Sequence, residues 1–345
     1  MKLKDFVIFN PRETLSKSKK YRKISMDQIK PFTRKIESNI FLKYSGGSKF
    51  RNGDTIFARI TPCLENGKTS FVSCLEKNEV AFGSTEFIIV RSKPSVSLPL
   101  FVYYLMVSKK IRDKAIISMT GSSGRERVQQ IALDNIIIPD YTVDYQQHIV
   151  NTIGSIDDLI ENYDKQLEKI KIILRDKYKS YDNLNKIKLG DVATIKTGKL
   201  NADACCQNGI YPFFTCSEKP LNINVYAFDG PSILLSGNGS QLGYLNFYDG
   251  KFNAYQRTYV IQSNKIYSIY ASLLCNIDQI INQACGSAIP YITKPMIGNL
   301  YIFEFNKITE KIFKILIVKM QHINKEKSLL IKLKQTLLNK YFTNQ

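Results

Sequence analysis

A chain of 345 residues is long for one globular domain and favours two, each with a core of its own. Lysine and arginine number 49 against 30 acids, a formal charge of +19. That excess attracts polyanions, nucleic acid ahead of an anionic membrane surface. An AT-rich genome would inflate lysine, but it does not account for the shortage of acids. The apolar run at residues 315–320 is too short for a bilayer. The opening MKLKDFVIFNPRE lacks the apolar length and small-residue cleavage site of a signal peptide. The expected location is the cytoplasm, with no membrane partner. Of seven cysteines none stands in a C-x-x-C pair, and both histidines, His148 and His322, fall in predicted helices. That is no zinc spacing, so reduced thiols packed as small apolar groups, no metal and no cofactor are expected.

In chain order, Lys2-Leu3-Lys4-Asp5-Phe6 precedes a strand at Thr55–Ala58. A second strand lies within FGSTEFIIVRS at residues 82–92, and a helix follows at residues 99–109. A flexible Gly121-Ser122 segment comes next, then a strand at residues 136–138. From Ile149 the apolar residues fall at Ile153, Ile156, Ile160, Tyr163, Leu167, Ile170 and Leu174, extended by Tyr178 and Tyr181. Steps of four and three mark a long helix packing lengthwise on another. Residues 146–184 would span about 58 Å at 1.5 Å per residue, and Asp144 with Gln147 suits a capping box.

The second half repeats this order. Lys188-Leu189-Gly190-Asp191-Val192 resembles residues 2–6, Ser232 to Leu235 resembles Thr55 to Ala58, and NAYQRTYVIQS from Asn253 resembles FGSTEFIIVRS. A helix at residues 266–275, Gly286-Ser287 and a strand at residues 300–303 follow. The last helix carries Ile312, Leu316, Ile323, Leu330, Leu333, Leu337 and Tyr341. The shift that lays Ile149 on Ile312 matches six of its members and Tyr178, but sets Ile156 on Lys319 and Tyr163 on Glu326. The expected class is α+β, globule, long helix, globule, long helix, with boundaries at 1–145, 146–185, 186–305 and 306–345. Each globule is a mixed twisted sheet with helices. The long helices pack as an antiparallel coiled coil, a spacer between two globules suited to DNA half-sites about 34 Å apart.

The stretch GDTIFARITPCLENGKTSFV from Gly53, with GSTEFIIVR from Gly83, resembles the target-recognition domains of type I restriction-modification specificity subunits. GSSGRERV from Gly121, the IIIP strand, QQHIV at the helix start and LLSGNGSQLG from Leu234 are also similar to that family. The likeness covers essentially the whole chain, which is short for the family, mostly in its second globule. It implies a non-catalytic subunit in which each globule reads one half of a bipartite double-stranded DNA target. The paired helices would set the gap and dock two adenine methyltransferase subunits, and restriction subunits would join. The residues themselves agree with a non-catalytic role. No Asn-Pro-Pro-Tyr motif or Gly-rich cofactor loop occurs. Gly67-Lys68-Thr69 is no phosphate loop, because Pro62 stands where its first glycine belongs.

Lysine and arginine would neutralise phosphates while other tips read base edges. In the first globule the candidates are Arg59, Thr61, Glu65, Asn66 and Lys68, then Ser84, Thr85 and Glu86, then Ser122, Ser123, Arg125 and Arg127. Arg59 suits a guanine or a phosphate, or equally a structural tie to Glu86. Asn66 suits adenine and Glu65 cytosine. In the second they are Ser236, Asn238, Ser240 and Gln241, then Tyr255, Gln256 and Arg257, with Ser287. Tyr255 either stacks on a base or packs in the core. Two other functions remain open: a stand-alone nucleic-acid-binding module, and a nuclease using Glu65 and Glu86 as a metal pair.

Overall fold

The computed structural model describes residues 1–122, 124–181, 185–217 and 219–343. The chain divides into unit 1, residues 1–163 with 326–345, and unit 2, residues 164–325. The class is α+β, as expected: short strands in mixed sheets and two long helices, Val143–Lys179 and Lys307–Thr343. Among the described residues no helix is long and apolar enough to cross a membrane.

Unit 1 is layered because its sequence leaves no other place for its apolar residues. Strands β1 (Val7–Phe9), β2 (Thr55–Ala58), β3 (Thr69–Phe71) and β4 (Phe87–Ser92) form an antiparallel sheet in the order β1-β4-β2-β3. β2 is buried at every position, so both faces of the sheet are covered. One face carries Phe57, Ile88 and Val90 against the helix Pro99–Val107, whose residues PLFVYYLMV are apolar all round and demand enclosure. The other carries Ile56, Phe87 and Ile89 against Ile24, Phe50 and Ala81, which belong to a second sheet of strands Phe41–Lys43, Lys20–Ile24, Ala81–Gly83 and Lys49–Phe50. The single helix expected at residues 99–109 is two. Ser108 leaves the helical conformation and its hydroxyl accepts from the Ile111 N–H, starting Lys109–Ile117.

Unit 2 repeats the plan. Strands β5 (Thr194–Thr197), β6 (Ser232–Ser236), β7 (Leu245–Tyr248) and β8 (Thr258–Gln262) lie in the order β5-β8-β6-β7. A second sheet pairs Tyr211–Phe214 with Leu221–Ile223 and Asn253–Ala254. The counterpart of strand Lys49–Phe50 is reduced to a bridge between Phe228 and Phe252. The helix expected at residues 266–275 runs further, Ile266–Ile281. The ladders correct the sequence match by one residue. Thr55 pairs with Val90 and Ala58 with Phe87, while Ile233 pairs with Ile261 and Ser236 with Thr258. Thr55 therefore corresponds to Ile233, not Ser232. Hydrogen-bond register decides which residue faces which way, and likeness along the sequence does not fix it.

The long helices needed the same correction. Thr142, not Asp144, caps the first: its hydroxyl accepts from the Tyr145 N–H at 3.3 Å, and Gln147 lies inside the helix bonded to Asn151. The helix begins at Val143 and ends at Lys179, and Leu184, its expected end, lies outside the described residues. Its buried stripe is Ile149, Ile153, Ile156, Leu167, Ile170, Leu174 and Tyr178, with Ile160, Tyr163 and Tyr181 half-buried. In the second helix the buried residues include Phe313, Ile317, Met320, Ile323, Leu338 and Phe342, while Leu333 is 47% exposed. The repeat thus lays Ile149 on Phe313 and Ile156 on Met320, one position beyond the sequence match. Pairing Ile with Ile and Leu with Leu had turned the second helix by about 100°.

Within unit 1 the helices run antiparallel. His148 meets the Tyr341 hydroxyl at 3.2 Å, and Lys334 donates to Asp157 at 2.6 Å. That ion pair is buried, Asp157 being 3% and Lys334 7% exposed. Tyr104 donates to the same carboxylate at 2.9 Å; burial first, then the Asp157 charge, pushes its phenol pKa up. The repeat lays Asp157 on Gln321 and Lys334 on Ile170, so unit 2 has no counterpart of this pair. There the helix contacts are aromatic: Tyr178 lies against Phe303 and Phe305, and Thr309 donates to the Tyr181 hydroxyl at 3.1 Å.

Candidate nucleic-acid interface

β2 ends at Ala58 beside the start of β4 at Phe87, so the residues after one strand and before the other lie side by side. The Arg59 N–H donates to the Glu86 carbonyl at 3.0 Å. A third segment closes on them. The Val128 N–H donates to the Arg59 carbonyl at 2.8 Å and the Thr61 N–H to the Glu126 carbonyl at 3.0 Å. Thr120 and Arg127 exchange backbone bonds of 3.1 and 2.9 Å, which closes a hairpin at these two residues. Three predicted residues far apart in sequence, Arg59, Glu86 and Arg127, thus meet at one junction.

Their side chains interact. Arg127 Nε lies 3.0 Å from both Glu86 oxygens and Nη2 donates to Oε1 at 2.7 Å. These hydrogen bonds first, and the Glu86 charge second, raise the Arg127 pKa. Arg59 Nε is 3.8 Å from Glu86 Oε2, too long for a hydrogen bond, and this buried nitrogen finds no hydrogen-bond partner among the described residues. The Ser84 hydroxyl accepts from the Glu86 N–H at 3.0 Å. Arg127 is 42% and Glu86 23% exposed at the side chain.

Around this junction Glu65, Asn66, Thr85, Ser122 and Arg125 are exposed, while Ser123 lies outside the described residues. The loop bearing Glu65 and Asn66 is wound into successive turns, Leu64 N–H to the Ile60 carbonyl at 3.1 Å and Asn66 N–H to the Pro62 carbonyl at 2.9 Å. Gly67 follows at φ +74°, where a Cβ would come within 2.5 Å of the Phe32 ring. The Lys68 amine is turned inward and donates to the Met26 carbonyl at 2.8 Å. The Thr61 hydroxyl faces Met119 Sδ at 3.5 Å.

Unit 2 builds the same junction. The Gly237 N–H donates to the Arg257 carbonyl at 2.9 Å, and the Ile292 N–H to the Gly237 carbonyl at 3.0 Å. Cys285 and Tyr291 exchange backbone bonds of 2.9 and 2.8 Å. Position for position, Gly237 stands for Arg59, Arg257 for Glu86 and Tyr291 for Arg127. Arg257 is exposed, and its guanidinium has no hydrogen bond or ion pair among the described residues. Ser240, Gln241, Gln256 and Ser287 are exposed, Asn238 and Tyr255 half-buried. Ser236 is buried at 3% exposure in the last position of β6. Neither Gly237 nor Tyr291 is among the candidate contacts, although the glycines of the Ser236 to Gln241 loop suit close backbone approach. The usable signal was Gly237 itself: a Cβ there would lie 2.4 Å from the Arg257 carbonyl oxygen.

Residues 181–316 match the family described as type I restriction modification DNA specificity domain. The specificity subunit of the type I restriction enzyme EcoDI from Escherichia coli is 46% identical over 118 residues, 34% of this chain and 26% of that protein. The chain thus matches about a quarter of the length of that relative. The MjaIX specificity subunit of Methanocaldococcus jannaschii is 24% identical over 70% of this chain and 67% of its own length. A crystal structure of the type I restriction-modification S subunit from M. genitalium shares the fold, with a TM-score of 0.61 at 16% identity, covering 100% of this chain and 96% of that one.

Proposed function

We propose that this chain, a relative of the specificity subunits of type I restriction-modification systems, reads a bipartite DNA target with one half-site per unit. In this reading it holds two adenine methyltransferase subunits on the DNA, restriction subunits join them, and all chemistry belongs to those partners. The observation that carries the reading is the junction built twice on one backbone pattern. A protein reading two half-sites needs one platform used twice, with different tips on each. The charge of +19 would supply the sequence-independent part of the affinity through phosphates. Specificity would come from exposed tips at the rim, Asn66, Thr85 and Arg125 in unit 1, and Gln241, Gln256 and Ser287 in unit 2.

Residues 1–145 and 186–305 would be the two target-recognition domains and the helical segments 146–185 and 306–345 the ruler between half-sites. Ile172, Ile173, Ile315 and Leu329 are each about half exposed or more. Apolar side chains on helix surfaces of that kind suit docking of partner helices. The nuclease alternative loses its geometry, because the Glu86 carboxylate is taken up by Arg127.

Co-expression with a methyltransferase subunit of the same system, followed by mapping of adenine methylation in the host genome, tests the reading. One split motif with a fixed unspecified gap is expected. Exchanging residues 1–145 for those of a relative should then change one half of the motif alone. New methylation at a single unsplit motif would overturn the bipartite reading. No methylation with soluble subunits would leave a stand-alone DNA-binding module.

A further inference from the structure

The two junctions share a backbone, and arginine (Arg257) stands in unit 2 where unit 1 has Glu86. Unit 1 places two arginines around one glutamate, and unit 2 places one arginine between a glycine and a tyrosine. Each arrangement carries one net positive charge at the same point of the fold. Nothing about reading bases would require that equality, since two half-sites have unrelated sequences. A polyanionic backbone, identical at both half-sites, would require it.

The hydrogen bonds narrow the chemistry further. Recognition of guanine by arginine uses two parallel N–H donors at once. In Arg127 the Nε and Nη2 edge already holds Glu86, and Nη1 lies 3.4 Å from the Arg125 carbonyl. The fork is occupied, yet the side chain is 42% exposed. What remains is a fixed cation with single N–H donors, which suits one phosphate oxygen. In unit 2 Arg257 is exposed and has no hydrogen bond or ion pair among the described residues.

We propose that this shared point makes one phosphate contact in each unit, through Arg257 in unit 2 and through Arg127 held by Glu86 in unit 1. Glu86 is then a positioning residue and reads no base. The inference rests on the DNA-binding reading above and adds to it which residues meet the backbone.

The test is fluorescence anisotropy of the full chain on a random-sequence 40-base-pair duplex pool, as a function of sodium chloride, with sequencing of the bound fraction. Each phosphate contact contributes about 0.9 to the slope of log affinity against log salt. Arg257→Gln should make the slope shallower by about that amount and leave the bound sequences unchanged. Arg127→Gln should do the same. Glu86→Gln removes the acid that pairs with Arg127 and should steepen the slope, again without changing the sequences. Circular dichroism confirms that each variant is folded. An unchanged slope for Arg257→Gln, or a bound pool altered at one base position by Glu86→Gln, overturns the inference while DNA binding stands. A wild-type chain that does not bind the pool at low salt overturns both readings together.

Discussion

Unit 1 and unit 2 carry the same ladder of backbone bonds and different side chains at nearly every point that matters. At the junction, Arg59, Glu86 and Arg127 become Gly237, Arg257 and Tyr291. Between the long helices, the buried pair of Asp157 and Lys334 becomes Gln321 and Ile170. The difference teaches which physical layer the repeat preserves. Strand register and hairpin closure are set by main-chain hydrogen bonds that every residue type supplies, so they survive wholesale replacement of the tips. Side-chain networks do not, and each unit has its own.

The ion pair gives the largest way to break the comparison. Removing one partner of a buried pair leaves an uncompensated charge, at a cost of about 3–5 kcal/mol. Lys334→Ala should therefore destabilise the chain by that order in urea unfolding, because among the described residues Asp157 then keeps the Tyr104 hydroxyl as its one hydrogen-bond partner. Asp157→Leu with Lys334→Met, which swaps the pair for apolar residues, should restore most of the loss. At the matching place in unit 2, Gln321→Ala should cost far less. If the three variants unfolded alike, the pair would carry no energetic asymmetry between the units.

The junction offers a smaller effect of opposite sense. Gly237→Ala places a Cβ 2.4 Å from the Arg257 carbonyl oxygen, and a shift of backbone costs about 1–3 kcal/mol. At the equivalent position unit 1 already holds a side chain, Arg59, so Arg59→Ala should not force the backbone to move. The measurement is the urea midpoint together with amide exchange at Gly237 and Ile292, whose N–H groups close the unit 2 junction. Protection that stays unchanged in Gly237→Ala would mean that the close approach is not needed.

The repeat was legible in the sequence because both halves spend apolar residues in the same order, and FGSTEFIIVRS on NAYQRTYVIQS already paired Glu86 with Arg257. What escaped was register. Likeness of type set Thr55 on Ser232 and Ile149 on Ile312, each one residue from its structural partner. Burial accepts Phe313 for Ile149 and Met320 for Ile156, substitutions that a match by type passes over. The convergence of Arg59, Glu86 and Arg127 was only half legible. A tie between Arg59 and Glu86 could be imagined, but the tighter partner, Arg127, arrives on a hairpin that the bond from Val128 to Arg59 joins to the end of β2. Lys68 shows the converse: a lysine in a polar loop reads as a DNA contact until its amine is found on the Met26 carbonyl.

If the ladder alone carries the junction, unit 1 should accept the side chains of unit 2. The triple variant Arg59→Gly, Glu86→Arg, Arg127→Tyr keeps the net charge of the point and removes its ion pairs. Pairs that are partly exposed contribute little to stability, so the urea midpoint should hardly move. The N–H groups of Arg127 and Val128 bond main-chain carbonyls, and their exchange protection should persist. The single change Glu86→Arg is the contrasting case: it brings three cations together and should open the hairpin at low salt, with protection returning as salt screens them. Loss of the hairpin in the triple variant would show that Glu86 holds the backbone as well as Arg127, and that the two units differ in how they fold and not only in what they display.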